Sequence, residues 1–181
     1  MNFNLLYIKK IKKQIMSNKE KFLIDLTNGN HGEVIVANYL KQKKGYKILN
    51  YNNDMDYDVK VELKGKELLL EIKTDMYEYY NETTNNMFIE MKCGGHNSGI
   101  KGTKADIFMY YFPDHEIVYW ATVKDILHSI DIGSQPWSPN YGAGDGGRVF
   151  GVIINRFDQT LFKKIYINKE PYFELAGIEN K

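Results

Sequence analysis

Residues Tyr57–Lys73, Tyr-Asp-Val-Lys-Val-Glu-Leu-Lys-Gly-Lys-Glu-Leu-Leu-Leu-Glu-Ile-Lys, allow few local folds. From Asp58 to Leu63 the chain alternates, with Val59, Val61 and Leu63 on one face and Asp58, Lys60 and Glu62 on the other, which is the period of a strand. A second run, Glu67–Lys73, places Leu68, Leu70 and Ile72 on one face, so the two runs and the glycine between them read as a hairpin. Taking Gly65-Lys66 as a two-residue loop pairs Lys64 with Glu67 and sets Asp58 opposite Lys73, with Glu71 its diagonal neighbour. Such neighbours lie within roughly 8 Å, near enough to share one small ligand. Two carboxylates held together repel unless a cation lies between them. Lys73 adds a compact positive charge where a phosphate or a developing oxyanion could sit.

The remaining chain sets bounds. At 181 residues it suits one domain with a substantial core. A single cysteine, Cys93, excludes an internal disulfide and suits a reducing compartment. No stretch approaches the roughly 20 apolar residues of a membrane span, and Leu5–Ile8 is too short for a signal-peptide core. A soluble cytoplasmic protein without a membrane partner is expected. The net charge of +1 hides an asymmetry, because residues 1–47 carry ten lysines against three acids (+7) and the rest sums to −6. A basic stretch beside an acidic remainder fits a protein that grips a polyanion on one side and holds cations on another; solvated lysine-rich helix faces give the same asymmetry.

Phe3–Leu26 reads as one or two helices, making residues 1–28 a basic helical arm that could touch DNA or a second copy, and residues 29–181 one domain. Thr27-Asn28-Gly29-Asn30 reads as a turn. A helix then runs from His31 to Lys44, with Val34, Val36, Ala37 and Leu40 as its apolar stripe and Gly45 as its stop. Glu33 stands in the first turn of that helix, where a carboxylate also suits the helix dipole. Strands are expected at Tyr46–Tyr51, the hairpin, Met87–Lys92, Ala105–Phe112, Glu116–Trp120 and Arg148–Asn155, the last as a central strand, with a short helix at Thr122–Ile130. Leu161–Ile167 is helix or strand, and Ser134–Gly147 the longest irregular piece. The order predicts an α/β (α+β) fold, a mixed central sheet flanked by helices.

Other motifs fail on spacing. Asp54-x-Asp56-x-Asp58 lacks the glycine and the final glutamate of a calcium loop, and Gly142–Gly147 lacks the lysine ending of a phosphate loop. The four histidines show no zinc spacing with Cys93, and no local signature marks a serine or cysteine nucleophile. Tyr77, Tyr79, Tyr80 and the Tyr110-Tyr111 pair could stack on bases, although half-buried packing is the commoner role. Lys101 and Lys104 are candidate phosphate contacts, with Lys41, Lys43 and Lys44 of the basic region.

Glu33 on a helix, Asp58, and Glu71-Ile72-Lys73 thirteen positions later resemble the PD-(D/E)XK nuclease superfamily, whose fold is restriction-endonuclease-like. The order looks most like archaeal-type Holliday junction resolvases, and Thr83–Glu90 with Ser98-Gly99-Ile100 and Thr103–Asp106 is similar to small phage nucleases. Tyr57 stands where the motif has proline, and Asp56 is a second candidate for the aspartate. The resemblance implies catalytic Asp58, Glu71, Lys73 and Glu33. It implies one or two Mg²⁺ (or Mn²⁺) held by Asp58, Glu71 and the Ile72 carbonyl, with Glu33 or Glu90 completing the shell. It also implies a DNA endonuclease, a Holliday junction resolvase or another structure-selective nuclease, acting as a homodimer. An RNA-cutting enzyme with His31 near Glu33, or a non-catalytic DNA-binding or inhibitor protein retaining the fold, are the alternatives.

Overall fold

A computed structural model describes residues 18–52, 56–75, 84–141 and 148–167, with side chains from residue 30 onward. Among these residues ten strands form two sheets. The larger has the order β1 (Lys47–Tyr51), β2 (Val59–Leu63), β3 (Lys66–Thr74), β6 (Ile107–Phe112), β7 (Ile117–Thr122), β10 (Lys163–Tyr166). Only β3 and β6 run parallel in it, so the sheet is mixed. The smaller is antiparallel, in the order β5 (His96–Asn97), β4 (Asn86–Cys93), β9 (Val149–Asn155), β8 (Ser138–Tyr141). Arg148–Asn155 was expected as a central strand of one sheet, and it is central in this second one. Its residues Met87-facing Ile154 and Ile89-facing Val152 pair with β4 rather than with the hairpin. β8 lies inside the stretch expected to be irregular, and its Pro139 is tolerated because the strand is an edge.

The six-stranded sheet is covered on both faces, and β6 shows why. Met109 and Tyr111 enter one core with Val59, Val61, Leu70 and Ile72, under Val36, Ala37 and Leu40 of the first helix, α1 (Asn18–Lys43). Phe108, Tyr110 and Phe112 enter the other, with Met87, Ile89, Val152 and Ile154 of the second sheet. Val123 and Ile126 of the second helix, α2 (Val123–Ile132), close that core. A strand apolar on both faces must be internal, and each large side chain buried this way contributes about 1.5–3 kcal/mol. Tyr110 and Tyr111 are each 4 % exposed, so neither is available to stack on a base. Tyr77, Tyr79 and Tyr80, Gly142–Gly147 and most of the arm lie outside the described residues. α2 starts on Thr122, whose hydroxyl accepts the Asp125 N–H at 3.0 Å, and stops at Gly133 in the left-handed region.

Two local expectations are corrected. α1 passes through 27–30 without a break, where Thr-Asn-Gly-Asn was expected to turn. Gly29 costs about 1 kcal/mol in a helix and the asparagines less, whereas the burial of Val36, Ala37 and Leu40 holds the helix to the sheet. Glu33 is therefore far from any helix start, and the dipole has no part in placing it, because that effect fades within one turn. The hairpin loop is Lys64-Gly65, not Gly65-Lys66: both residues have positive φ, 52° and 78°, and Val59 pairs with Leu70, Glu62 with Glu67. The two registers bury the same side chains, so alternation cannot choose between them. The turn chooses, since two consecutive left-handed residues give the twist that a tight hairpin needs.

Candidate active site

The corrected register brings Asp58 to Glu71 instead of Lys73. Asp58 bonds to both neighbours of Glu71 in the chain: its N–H donates to the Leu70 carbonyl at 2.9 Å, and its carboxylate accepts the Ile72 N–H at 2.6 Å. Asp58 thus continues the ladder past the end of β2 with its side chain, and one peptide group fixes its direction. Ile72 buries its own side chain beneath α1, on the opposite face. Glu71 shares its strand face with Lys73, which is exposed.

Glu33 comes from the other layer. Gly32 is the reason it can reach: a Cβ there would stand 2.0 Å from the Thr74 hydroxyl oxygen at the end of β3. Only a residue without a side chain lets α1 descend this far, and the next residue, Glu33, then enters the field of both acids. Burial first, then Asp58 and Glu71, push the Glu33 carboxyl up to about 7. Burial and Asp58 likewise push Glu71 up to about 7, with Glu90 adding to the rise, and the Thr103 hydroxyl and Lys73 oppose it. Burial raises Asp58 as well, against the Ile72 N–H and Lys73. All three carboxylates therefore hold protons more tightly because of burial, and Glu33 and Glu71 also because of their acidic neighbours.

Across from Glu71 a cleft of about 230 Å³ opens between the sheets, lined by Glu71, Lys73, Phe88, Glu90, Ser98 and Phe108. Glu90 stands on its far wall and accepts a hydrogen bond from the Ser98 hydroxyl. The donor set consists of carboxylate oxygens, which suit Mg²⁺ or Mn²⁺ and not a thiolate-seeking metal. Among the described residues no three His, Cys, Asp or Glu side chains close on one point. That is compatible with Mg²⁺, which is commonly held by one or two carboxylates, substrate phosphate and water. The raised proton affinities of Glu71 and Glu33 are what a cation would relieve.

The other candidates lie apart from the acids. Asp56 is tied to Lys104 by an exposed ion pair of 2.8 Å, so Lys104 is engaged with protein. Lys101 ends the short turn Gly99–Lys101 and is exposed. Lys41 and Lys43, exposed in the last turn of α1, stand about 12–15 Å along the helix from Glu33. Lys44, just beyond, lies 5.8 Å from the Tyr39 ring centre. His31 is exposed on α1. Three residues beside the acids have no role assigned by the sequence: Gly32, and Ser98 and Thr103, which enter only as part of the resemblance to small phage nucleases; the Thr103 hydroxyl lies 2.8 Å from a Glu71 oxygen. The glycines flanking Ser98 and Thr103 were the available signal, since they mark a tight segment.

No protein-family model matches the chain, and no curated protein does. Among solved structures it is similar to a bacterial homing endonuclease, with a TM-score of 0.43 and 16% identity over 84% of this chain and 94% of that one. No described helix is long and apolar enough to cross a membrane.

Proposed function

We propose that this protein is a Mg²⁺-dependent (or Mn²⁺-dependent) endonuclease that hydrolyses DNA phosphodiesters. The observation that carries the reading is the meeting of Asp58 with Glu71 at the open end of the hairpin, with Lys73 next on the face of Glu71. Asp58 and Glu71 would hold one or two ions, with Glu33, Glu90 and the Ile72 carbonyl as further oxygen donors. A bound Mg²⁺ supplies Lewis-acid stabilisation of the phosphate and lowers the pKa of water. The Lys73 ammonium would orient the attacking water and face the charge that develops on the phosphate oxygens. Phe88 and Phe108 give the cleft apolar walls, which strengthen every charge interaction inside it.

A branched junction is the substrate we favour, on the resemblance of Glu33, Asp58 and Glu71–Lys73 to resolvases, with cuts leaving a 5′-phosphate and a 3′-hydroxyl. Cutting two strands symmetrically calls for two copies of the site, hence a homodimer. Wild type, Glu71→Ala and Lys73→Ala are to be compared on a four-way junction, a linear duplex, single-stranded DNA and matched RNA, with Mg²⁺. The expected result is junction cleavage by wild type alone. Cleavage that survives both substitutions would sink the assignment, and preference for RNA would move it to a ribonuclease.

A further inference from the structure

The segment from Ser98 to Lys104 touches β4, which carries Glu90, β3, which carries Glu71, and the chain just before Asp58. The Ser98 hydroxyl donates to Glu90. Gly99, at φ +50°, lies so close to β4 that a Cβ would stand 2.5 Å from the Glu90 carbonyl oxygen. The Thr103 N–H donates to the Gly99 carbonyl at 2.9 Å, which closes the segment into a compact turn. On the hairpin side, Lys104 donates its N–H to the Asp56 carbonyl at 2.7 Å and its ammonium to the Asp56 carboxylate at 2.8 Å, two residues before Asp58.

Thr103 sits where these ties cross. Its oxygen accepts the Ala105 N–H at 3.1 Å and lies 2.8 Å from Glu71 Oε2 and 3.0 Å from the Asp56 carbonyl oxygen. A hydroxyl has one proton to give, and the Asp56 carbonyl already receives the Lys104 N–H. The carboxylate is the stronger acceptor, so the proton goes to Glu71.

We propose that Thr103 is a positioning residue: its hydroxyl aims the Glu71 carboxylate toward Asp58, while the next residue, Lys104, holds Asp56 two positions before Asp58. The inference rests on the nuclease reading for its consequence in activity and on geometry alone for its effect on Glu71. Removing a partner that orients a metal-holding carboxylate commonly weakens metal affinity 10–100-fold, on the order of what is expected here.

The full chain is to be tested as Thr103→Val, which keeps shape and loses the proton, and Thr103→Ser, which keeps the hydroxyl. Mg²⁺ alone is titrated by calorimetry and Mn²⁺ alone by electron paramagnetic resonance. Cleavage of a four-way junction is resolved into kcat and KM. The ¹³C resonance of the Glu71 carboxyl, assigned through Glu71→Gln, reports on the side chain directly. Thr103→Val is expected to weaken ion binding roughly 10–100-fold, lower kcat with KM unchanged, and move the Glu71 resonance. Thr103→Ser is expected to stay near wild type in all three. If Thr103→Val does not fold, Thr103→Ala takes its place against Thr103→Ser. Equal behaviour of the valine and serine variants overturns the proposal. Should wild type bind no ion and cut no DNA, the nuclease reading fails, and the resonance still decides for Thr103: a peak unmoved by valine refutes it.

Discussion

Replacing Glu71 by glutamine is expected to make the ion-free protein more stable while removing its activity. The side chain keeps its shape and retains an oxygen to accept the Thr103 hydroxyl, and only the charge is lost. Glu71 rises from 4.5 to about 7 on folding, chiefly through burial and Asp58. At about 1.36 kcal/mol per tenfold change in proton affinity, this is a penalty of at most about 3 kcal/mol, and about 1–3 kcal/mol once neighbouring charges readjust. The folded state binds the proton more tightly than the unfolded one. The contribution is therefore fully present below pH 4.5 and is lost as pH rises through about 7. Glu71→Gln should leave stability at pH 4 almost unchanged and raise it at pH 8, moving Tm by about 2–10 °C for a chain of this size. Mg²⁺ should raise the Tm of wild type at pH 8 and leave that of the variant nearly still. Differential scanning calorimetry in chelator, from pH 4 to 8, reads all of this. A variant that is less stable than wild type at pH 8, or a difference that does not change with pH, would refute the reasoning that Asp58 and burial crowd this carboxylate.

Two further substitutions test the placement of the elements. Gly32→Ala puts a methyl group 2.0 Å from the Thr74 hydroxyl oxygen. It should cost about 1–3 kcal/mol in a urea titration, and Thr74→Ala in the same chain should restore most of the loss by opening that space; additive losses would mean that the two residues do not oppose each other. Lys64→Asn should raise the urea midpoint by about 0.5–1 kcal/mol in stability with the slope unchanged, because asparagine tolerates the left-handed conformation that Lys64 adopts at φ 52°. No gain, or a loss, would count against the Lys64-Gly65 turn.

Strands and their faces were legible wherever a local period decides them. The alternation Val59, Val61, Leu70, Ile72 named the buried face of the hairpin, and Ala105–Phe112 was legible as a strand, which the structure encloses from both sides. What period cannot encode was missed. Shifting the hairpin turn by one residue buries the same side chains, so the register, and with it whether Asp58 meets Lys73 or Glu71, was set by backbone twist at Lys64-Gly65. The helix through 27–30 was hidden because its support lies beyond the local stretch, where Val36 and Leu40 rest on the sheet. The division into two sheets depends on Met87 finding Ile154, and no window of sequence contains both. In the site, carboxylates spaced along one hairpin could be read directly. Gly32 and Thr103 could not, since each acts on a residue about 32–42 positions away, Glu71 for Thr103 and Thr74 for Gly32.

The parallel pairing of β3 with β6 also orders events in time. Leu70 and Ile107 are about 37 residues apart, and Met87 and Ile154 about 67, whereas the hairpin that unites Asp58 with Glu71 closes over a two-residue loop. Hairpins form in about 1–10 μs, and long-range pairings wait for the entropy of their loops to be offset. The two acids therefore meet in water, where their repulsion is weak, and the layers that strip them of solvent arrive afterwards. A cation that reconciled them would act on the last steps of folding, not the first.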